Sequence, residues 1–354
     1  MGFSVGGPPF QGLGGFSSPN NELTSLLASL LEADRKPRNR SEWEARFSFW
    51  QKPASETEEG RIATVAGRIR DAMRHSTFLP SRSWTIVAQG SHHNNTNTRS
   101  DSDIDFCVCL TDTYFSEGPP NDWPTNAELG LEPVPFTFDQ YRSHITWCLQ
   151  REFGYAAVTS GSKAIHLHKN DSEKINADVV PTYVLQRFGT RPNALLPRGN
   201  PDVGVAFLTT GGTRVTNFPI HHYNNGVAKN NLTGRRYKRV VRILKRIRNH
   251  IADNFGAPES ARTCARSTAS FLIESLVFNC PPHLFGHTSI YDDVVAVLRH
   301  LSQGLLDTGS NTALPTWMWW QEVNQIKSLF GPEQVWTVLS AAEFIVLARS
   351  YMEV

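Results

Sequence analysis

The chain has 354 residues, a formal net charge of +2 and 19% charged residues. This composition is typical of a folded globular protein and argues against a disordered chain or a protein that coats nucleic acid. The five cysteines form no pair of CxxC motifs, so the sequence indicates neither a disulfide framework nor a zinc ribbon. It contains no apolar run of membrane-spanning length and no secretory signal, and we therefore expect a cytoplasmic protein without a membrane anchor.

The N-terminal part of the sequence predicts a leader and two helices. Residues 1–21 are rich in Gly, Pro and Ser, a composition typical of a flexible leader. An Asn pair then precedes an apolar run, which predicts a helix over residues 22–33. Ser55 and Glu58 have the spacing of a capping box, so a second helix with one apolar face is expected to begin there.

Strands dominate the middle of the sequence and helices its end. Apolar and alternating patterns predict strands over residues 84–88, 104–110, 164–168, 175–183 and 203–209, with a proline-rich loop over 118–135 and a helix over 138–153. Spacings of three and four then predict helices over 237–251, 267–279, 290–305, 317–329 and 332–352. This order predicts an α+β protein, with a mixed β-sheet lobe over residues 22–220 and a C-terminal helical lobe over 221–354.

Gly90-Ser91 is the candidate phosphate-binding turn. A predicted strand leads into Gly90, and the missing Cβ atom lets backbone amides approach a phosphate closely. Ser91 adds a hydroxyl donor. Because Gly-Ser pairs mark turns in many proteins, this pair alone carries little information.

Two acidic residues begin the next predicted strand. Asp103 and Asp105 are two positions apart, so their carboxylates lie on the same side of a strand, a spacing that suits two-metal phosphoryl transfer. Asp178 is an isolated acid in an apolar strand, which is costly unless it binds a cation, and it is the candidate third carboxylate. An EF-hand loop would need Gly where Phe106 stands, so that alternative is rejected.

The order of these motifs resembles the nucleotidyltransferase superfamily that includes DNA polymerase β and the poly(A) polymerases. Within it, Gln89-Gly90-Ser91, Ser102-Asp103-Ile104-Asp105 and Asp178-Val179-Val180-Pro181 are similar to motifs of the bacterial cyclic-oligonucleotide synthases, the CD-NTases. Residues 224–230, 236–245 and 270–276 resemble the basic helix of that family and the helix that follows it. These later segments point to the synthases, since the acidic triad marks only the superfamily.

The resemblance implies a bilobed, polymerase-β-like fold whose helical lobe closes a nucleotide cleft. It implies Mg²⁺, with Mn²⁺ as a substitute, bound by Asp103, Asp105 and Asp178, and nucleoside triphosphate substrates, ATP and/or GTP. The expected product is a cyclic di- or trinucleotide second messenger that a separate effector reads in bacterial antiphage (CBASS) signalling. Alternatives are an enzyme that makes linear oligonucleotides or modifies RNA or protein, and an inactive nucleotide-binding scaffold, which the three intact carboxylates argue against.

Eight Lys or Arg residues lie between Arg235 and Arg248. Three interpretations compete for them: a solvated charged face, a nucleic-acid patch, and a triphosphate clamp formed by a stripe of Lys238, Arg242 and Lys245. The resemblance favours the clamp for Lys238 and implies that Ser270 contacts the same phosphates. The rest of the stripe is expected to be a solvated face.

Two histidine pairs, His92-His93 and His221-His222, are also candidates for metal binding. Neither pair has Cys or His partners at zinc-finger spacing. Nothing in the sequence matches the zinc-containing DNA-binding insertion of animal cyclic GMP–AMP synthase. We therefore expect an enzyme without a DNA requirement.

Overall fold

The computed structural model describes residues 36–53, 56–79, 81–98, 103–118, 130, 132–169, 176–189, 201–254, 256–310 and 313–354. The predicted leader, the predicted helix over 22–33 and the capping residue Ser55 lie outside these residues. The chain divides into two compact units, Met1–Arg46 and Phe47–Val354, and helix α1 (Arg40–Trp50) contains the boundary. Every feature discussed below belongs to the second unit.

Seven strands of the described chain form one mixed sheet. They are β1 (Trp84–Gln89), β2 (Ile104–Glu117), β3 (Val158–Ser160), β4 (Ile165–Leu167), β5 (Ala177–Arg187), β6 (Asp202–Leu208) and β7 (Arg214–Asn217). Strand β2 lies between β1 and β5, antiparallel to β1 and parallel to β5. The first residues of β5 pair with β4 and its last residues pair with β6, both antiparallel.

Two helices cover the sheet, α2 (Glu56–Arg74) and α4 (Phe138–Phe153). Helix α4 begins at Thr137, whose hydroxyl accepts a hydrogen bond from the Gln140 amide in a capping box. The Tyr141 hydroxyl of this helix donates to the Val108 carbonyl of β2 at 2.8 Å. Ile104, Phe106 and Val108 are buried as expected, and Cys107 and Cys109 are buried too, so β2 is covered on both faces.

The C-terminal part of the chain is helical. Its helices are α5 (Pro219–Leu232), α6 (Tyr237–Asp253), α7 (Glu259–Ser267), α8 (Ser270–Phe278), α9 (Ile290–Leu305) and α10 (Val338–Met352), and a short helix α3 (Gly90–His93) follows β1. The apolar stripe of α6 that begins at Tyr237 and Val240 is fully buried, which confirms its spacing-based prediction.

The helix predicted over residues 317–329 is wrong. Only a short 3₁₀ turn, Thr316–Trp319, forms there. Beyond it, the Asn324 side-chain oxygen accepts hydrogen bonds from the amides of Ile326 (2.8 Å) and Lys327 (3.0 Å), and Gln325 has a φ of +57°. A side chain that binds nearby backbone amides competes with helical hydrogen bonding, so the apolar spacing does not decide the structure here.

Two other predicted helices have the wrong limits. The helix predicted over 332–352 begins at Val338, because Thr337 forms a capping box with Ser340. The helix predicted over 267–279 is present as α8, which begins at Ser270. Thr268 precedes it with an extended backbone and a hydroxyl that donates to the Cys264 carbonyl at 2.8 Å.

The α+β fold class is confirmed, although several elements were not predicted. They include strands β3 and β7, of three and four residues, and helices α1, α5 and α7. The boundary between the predicted lobes at residue 220 stays a prediction. Within the described part of the chain, no helix is both long and apolar enough to span a membrane.

Candidate active site

A row of polar residues crosses the sheet. Gln89 of β1 pairs with Asp105 of β2, Asp105 with Asp178 of β5, and Asp178 with His166 of β4. Laterally paired residues project to the same face of a sheet, so the two carboxylates lie side by side. The structure therefore brings Asp178 to Asp105 across 73 residues of sequence, as expected, and Asp103 precedes Asp105 by two positions.

Gly90 packs directly against Asp105. Its φ is +74°, and a Cβ atom built on it would lie 1.8 Å from the Asp105 Oδ2 atom. A side chain at this position would therefore both strain the backbone and displace the carboxylate. The predicted turn after β1 is present, and glycine is needed there to make room for the acid as well as to expose the backbone.

Burial and two neighbouring acids raise the proton affinity of Asp105. Burial, followed by the charges of Asp178 and Asp103, raises the pKa of Asp105 to about 7. Carboxylates that crowd together in this way are stabilised by a bound cation, and carboxylate oxygens are the ligands that Mg²⁺ prefers. The residue types thus fit a divalent cation, although no three His, Cys, Asp or Glu side chains of the described residues are oriented as a metal cluster.

His166 is a site residue that the sequence analysis did not predict. Its Nδ1 atom lies 2.6 Å from the Asp178 Oδ1 atom, and both side chains are partly exposed. A histidine that binds one carboxylate oxygen fixes the orientation of the other oxygen. His166 therefore orients the candidate third carboxylate.

Helix α6 holds the loop that follows the turn. Arg242 donates to the Asn95 carbonyl at 2.5 Å, Lys245 to the Thr96 carbonyl at 3.2 Å, and Arg246 to the Thr98 carbonyl at 3.4 Å. In turn, the Ser91 carbonyl accepts the Thr96 amide at 2.8 Å. Since Arg242 and Lys245 are 6% and 2% exposed, the expectation that they form a solvated face is wrong.

Glu274 of α8 connects this loop to the helices. Its carboxylate accepts hydrogen bonds from Thr96 Oγ1 (2.7 Å) and Lys245 Nζ (3.1 Å) and lies 2.8 Å from His222 Nε2. Burial alone would raise the pKa of Glu274, but Lys245, His222 and these hydrogen bonds outweigh burial and hold the pKa well below its usual range. Glu274 is therefore an ionised, fully paired acid between the turn and the helical region.

A cavity of about 340 Å³ opens beside the turn. Gly90, Ser91, Asp105 and Ser270 all line it, so four predicted site residues share one cavity. Ser270 begins α8 and accepts a hydrogen bond from Arg248 at 2.8 Å. Further lining residues are Gln89, Asn94, Asn217, Phe218, Pro219, His222, Phe271, Glu274, Glu322 and Asn324.

Lys238 does not line this cavity. It lines a second cavity, and its ammonium is 5.8 Å from the centre of the Tyr223 ring, which stacks on His93. Its predicted contact with the triphosphate in the first cavity stays a prediction. Of the two histidine pairs proposed as metal ligands, His93 thus stacks on an aromatic ring and His222 binds Glu274.

Among the site residues that the sequence analysis did not predict, Glu274 could have been recognised from the sequence pattern. Glu274 is a lone acid in the apolar segment Ser270–Leu276, the same pattern that singled out Asp178. His166 and Lys245 give no comparable signal, because their roles depend on partners that only the fold brings close.

Comparisons with known proteins identify the family of this chain. Residues 224–353 match the family described as the C-terminal helical domain of cGAS/DncV-like nucleotidyltransferases. The chain is 33% identical, over 315 residues, to the cyclic dipyrimidine nucleotide synthase CdnE of Legionella pneumophila, covering 88% of this chain and 98% of that protein.

Two solved structures share the fold. The Elizabethkingia meningoseptica CdnE cyclic dinucleotide synthase, solved with GTP and Apcpp, is 27% identical with a TM-score of 0.68, covering 88% of this chain and 99% of that one. The Rhodothermus marinus CdnE c-UMP-AMP synthase, solved with Apcpp and Upnpp, is 24% identical with a TM-score of 0.72, covering 90% and 97%.

Proposed function

Because this chain belongs to the CD-NTases, the cGAS/DncV-like nucleotidyltransferases, we propose that it joins nucleoside triphosphates into a cyclic di- or trinucleotide second messenger. The observation that carries this proposal is the pairing of Asp105 with Asp178 beside the Gly90-Ser91 turn. Its relatives are synthases of this kind, and the chain spans nearly their whole length.

Asp103, Asp105 and Asp178 would hold Mg²⁺, with Mn²⁺ as a substitute. Burial first, and then the charges of Asp178 and Asp103, raise the pKa of Asp105, and a bound cation would offset both effects. When bound, the metal supplies Lewis-acid stabilisation of charge on the triphosphate and on the attacking hydroxyl. The remaining chemistry depends on the residues of the chain.

The amides of the Gly90-Ser91 turn and the Ser91 hydroxyl would bind the triphosphate of the donor nucleotide, with Ser270 on the opposite helix. A hydroxyl of the acceptor nucleotide attacks the α-phosphorus, and pyrophosphate leaves as the new phosphodiester bond forms. Asp178, oriented by His166, would accept the proton of that hydroxyl. A second transfer within the linear product closes the ring.

The cavity also offers surfaces for nucleobases. Phe218 and Phe271 line it together with Asn217, so stacking and a base-edge hydrogen bond are both available. Similar proteins are named for dipyrimidine and for c-UMP-AMP products. ATP and GTP remain the predicted substrates, and UTP and CTP belong in the same assay.

The product would act as a messenger for a separate effector in antiphage (CBASS) signalling, and synthesis would need no DNA. The sequence contains neither a DNA-binding insertion nor a zinc-ligand spacing, which supports synthesis without DNA. The enzyme would work in the cytoplasm, where nucleoside triphosphates are available.

The test is to incubate the protein with all four radiolabelled nucleoside triphosphates and Mg²⁺ or Mn²⁺, with and without DNA. Small phosphatase-resistant products, identified by mass spectrometry, are expected in both conditions. Asp103→Asn with Asp105→Asn should abolish them and leave the circular-dichroism spectrum unchanged. Product ladders or labelled macromolecules would instead show a different nucleotidyltransferase, and activity in the double variant would refute the site.

A further inference from the structure

A second cavity borders the loop that follows the Gly90-Ser91 turn. Its volume is about 420 Å³, and Asn95 of that loop lines it together with residues of α1, α5 and α6. Of the ten described residues that line it, none is an acid and five are cations: Lys52, Arg235, Lys238, Arg239 and Arg242. The cavity shares no lining residue with the first one.

These cations are crowded and, within the described residues, form no ion pair with a carboxylate. Lys238 and Arg242 are 8% and 6% exposed, so water screens them poorly. Burial, with Arg246 and Arg239, lowers the pKa of Arg242 to about 10. Burial also lowers the pKa of Lys238, Arg242 adds to this effect, and Glu274 opposes it. Such a cluster is stabilised by an anion.

We propose that this second cavity binds a small polyphosphate-bearing ligand, separately from the catalytic cavity. Its volume lies within the range of small-molecule sites, which favours a compact ligand over an extended nucleic acid. Guanidinium groups bind phosphate oxygens in pairs, and Lys52 and Lys238 add point charges. The absence of an acid among the lining residues suits several negative charges.

A single hydrogen bond would connect the residues that bind the ligand to the loop that follows the Gly90-Ser91 turn. Arg242 lines the cavity and donates to the Asn95 carbonyl at 2.5 Å, and Asn95 holds a φ of +54°. Asn95 lies four residues after Ser91, just beyond α3. A phosphate that engages Arg242 therefore acts on the segment that shapes the nucleotide-binding turn, which suits a regulatory site.

The test is isothermal titration of the protein with inorganic tripolyphosphate in EDTA at physiological ionic strength. Without metal, the carboxylates of the catalytic cavity repel this probe, so one saturable site is expected. Lys52→Ala with Arg239→Ala should weaken binding about tenfold or more, since each removes a charge-assisted contact. Both residues are exposed, so the folded core is unaffected, which Tm measurements check.

Arg70→Ala with Arg299→Ala is the matched control, because it removes two exposed cations outside the cavity and should leave the affinity unchanged. Asp103→Asn with Asp105→Asn should also leave it unchanged. The proposal is overturned if the wild type shows no saturable binding, or if the Lys52/Arg239 variant binds normally. Tripolyphosphate binding that is gained only in the variant Asp103→Asn with Asp105→Asn would also overturn it. So would a short single-stranded RNA that binds the protein and is not displaced by tripolyphosphate. None of these binding measurements depends on catalytic turnover, so their outcome is independent of whether the proposed function is correct.

Discussion

Gly90 lies where a side chain would meet the carboxylate of Asp105, and this contact links the turn to the metal-binding strand. Gly90→Ala is expected to lower kcat/KM at least a hundredfold, because its Cβ atom would overlap Asp105 Oδ2, 1.8 Å away. Steady-state rates of product formation measure this loss. The circular-dichroism spectrum should remain that of the wild type.

Gly212 provides the matched control for Gly90. Its φ of +78° is nearly the same, but nothing lies within 4 Å of a Cβ atom built on it. Gly212→Ala should cost about 1 kcal/mol of stability, from backbone strain alone, and leave kcat/KM unchanged. An equal loss of activity in both variants would mean that positive φ, rather than the contact with Asp105, explains the Gly90 effect.

His166 offers a second prediction for a single residue. His166→Ala frees the Asp178 carboxylate and should lower kcat about tenfold with little change in KM, because the orientation of the group that receives the proton is lost. His168→Ala is the control, since His168 lies two positions away and binds Thr159 instead. Full activity of His166→Ala would show that His166 has no role in the reaction.

Asp105 makes stability depend on pH. Its folded pKa of about 7 is above the usual value of 3.8, so its contribution to stability is present at low pH and is lost as pH rises towards 7. In EDTA, Asp105→Asn should therefore stabilise the chain by about 1–3 kcal/mol near pH 8, and by almost nothing near pH 4. Urea unfolding at both pH values measures the difference, and a larger gain at low pH would contradict the assignment.

At the scale of secondary-structure elements, the turn after β1 is shaped by helices far away in sequence. Thr96→Val removes a hydroxyl that donates to the buried Glu274, at 2.7 Å, and accepts from Lys245 at 3.1 Å. Loss of these bonds should cost about 1–3 kcal/mol of stability and raise the KM for nucleoside triphosphate several-fold, because the loop after the turn is held less firmly. Thermal unfolding and initial rates measure the two effects.

Thr98→Val is the control for that variant. Thr98 belongs to the same loop, but its hydroxyl accepts a longer 3.3 Å bond from Asn249 and does not contact Glu274. It should lose under about 1 kcal/mol of stability and keep the wild-type KM. If both variants raise KM equally, general loosening of the loop accounts for the effect rather than the link to Glu274.

The sequence predicted those parts of the site that depend on local rules. Asp178 stood out as a lone acid in an apolar strand, and β5 places it beside Asp105. That Asp103 shares a side with Asp105 stays a prediction, because β2 begins at Ile104. The partners of Glu274 could not be predicted, because Thr96 is 178 residues away and only the packing of α8 on the loop joins them. The same limit explains the predicted helix at 317–329, where the hydrogen bonds of Asn324 outweighed apolar spacing.

At the scale of the whole molecule, a net charge of +2 conceals two opposite clusters, the three carboxylates on the sheet and the five cations of the second cavity. The carboxylates repel one another in the free protein, so their ligands should stabilise the entire fold. Mg²⁺ with a non-hydrolysable nucleoside triphosphate analogue, at a hundred times its Kd, should add about 2.7 kcal/mol to the free energy of unfolding. Asp103→Asn with Asp105→Asn should lose this increment and keep the response to tripolyphosphate in EDTA. Thermal unfolding with each ligand measures both responses, and loss of both in that variant would mean that the two clusters form one binding site.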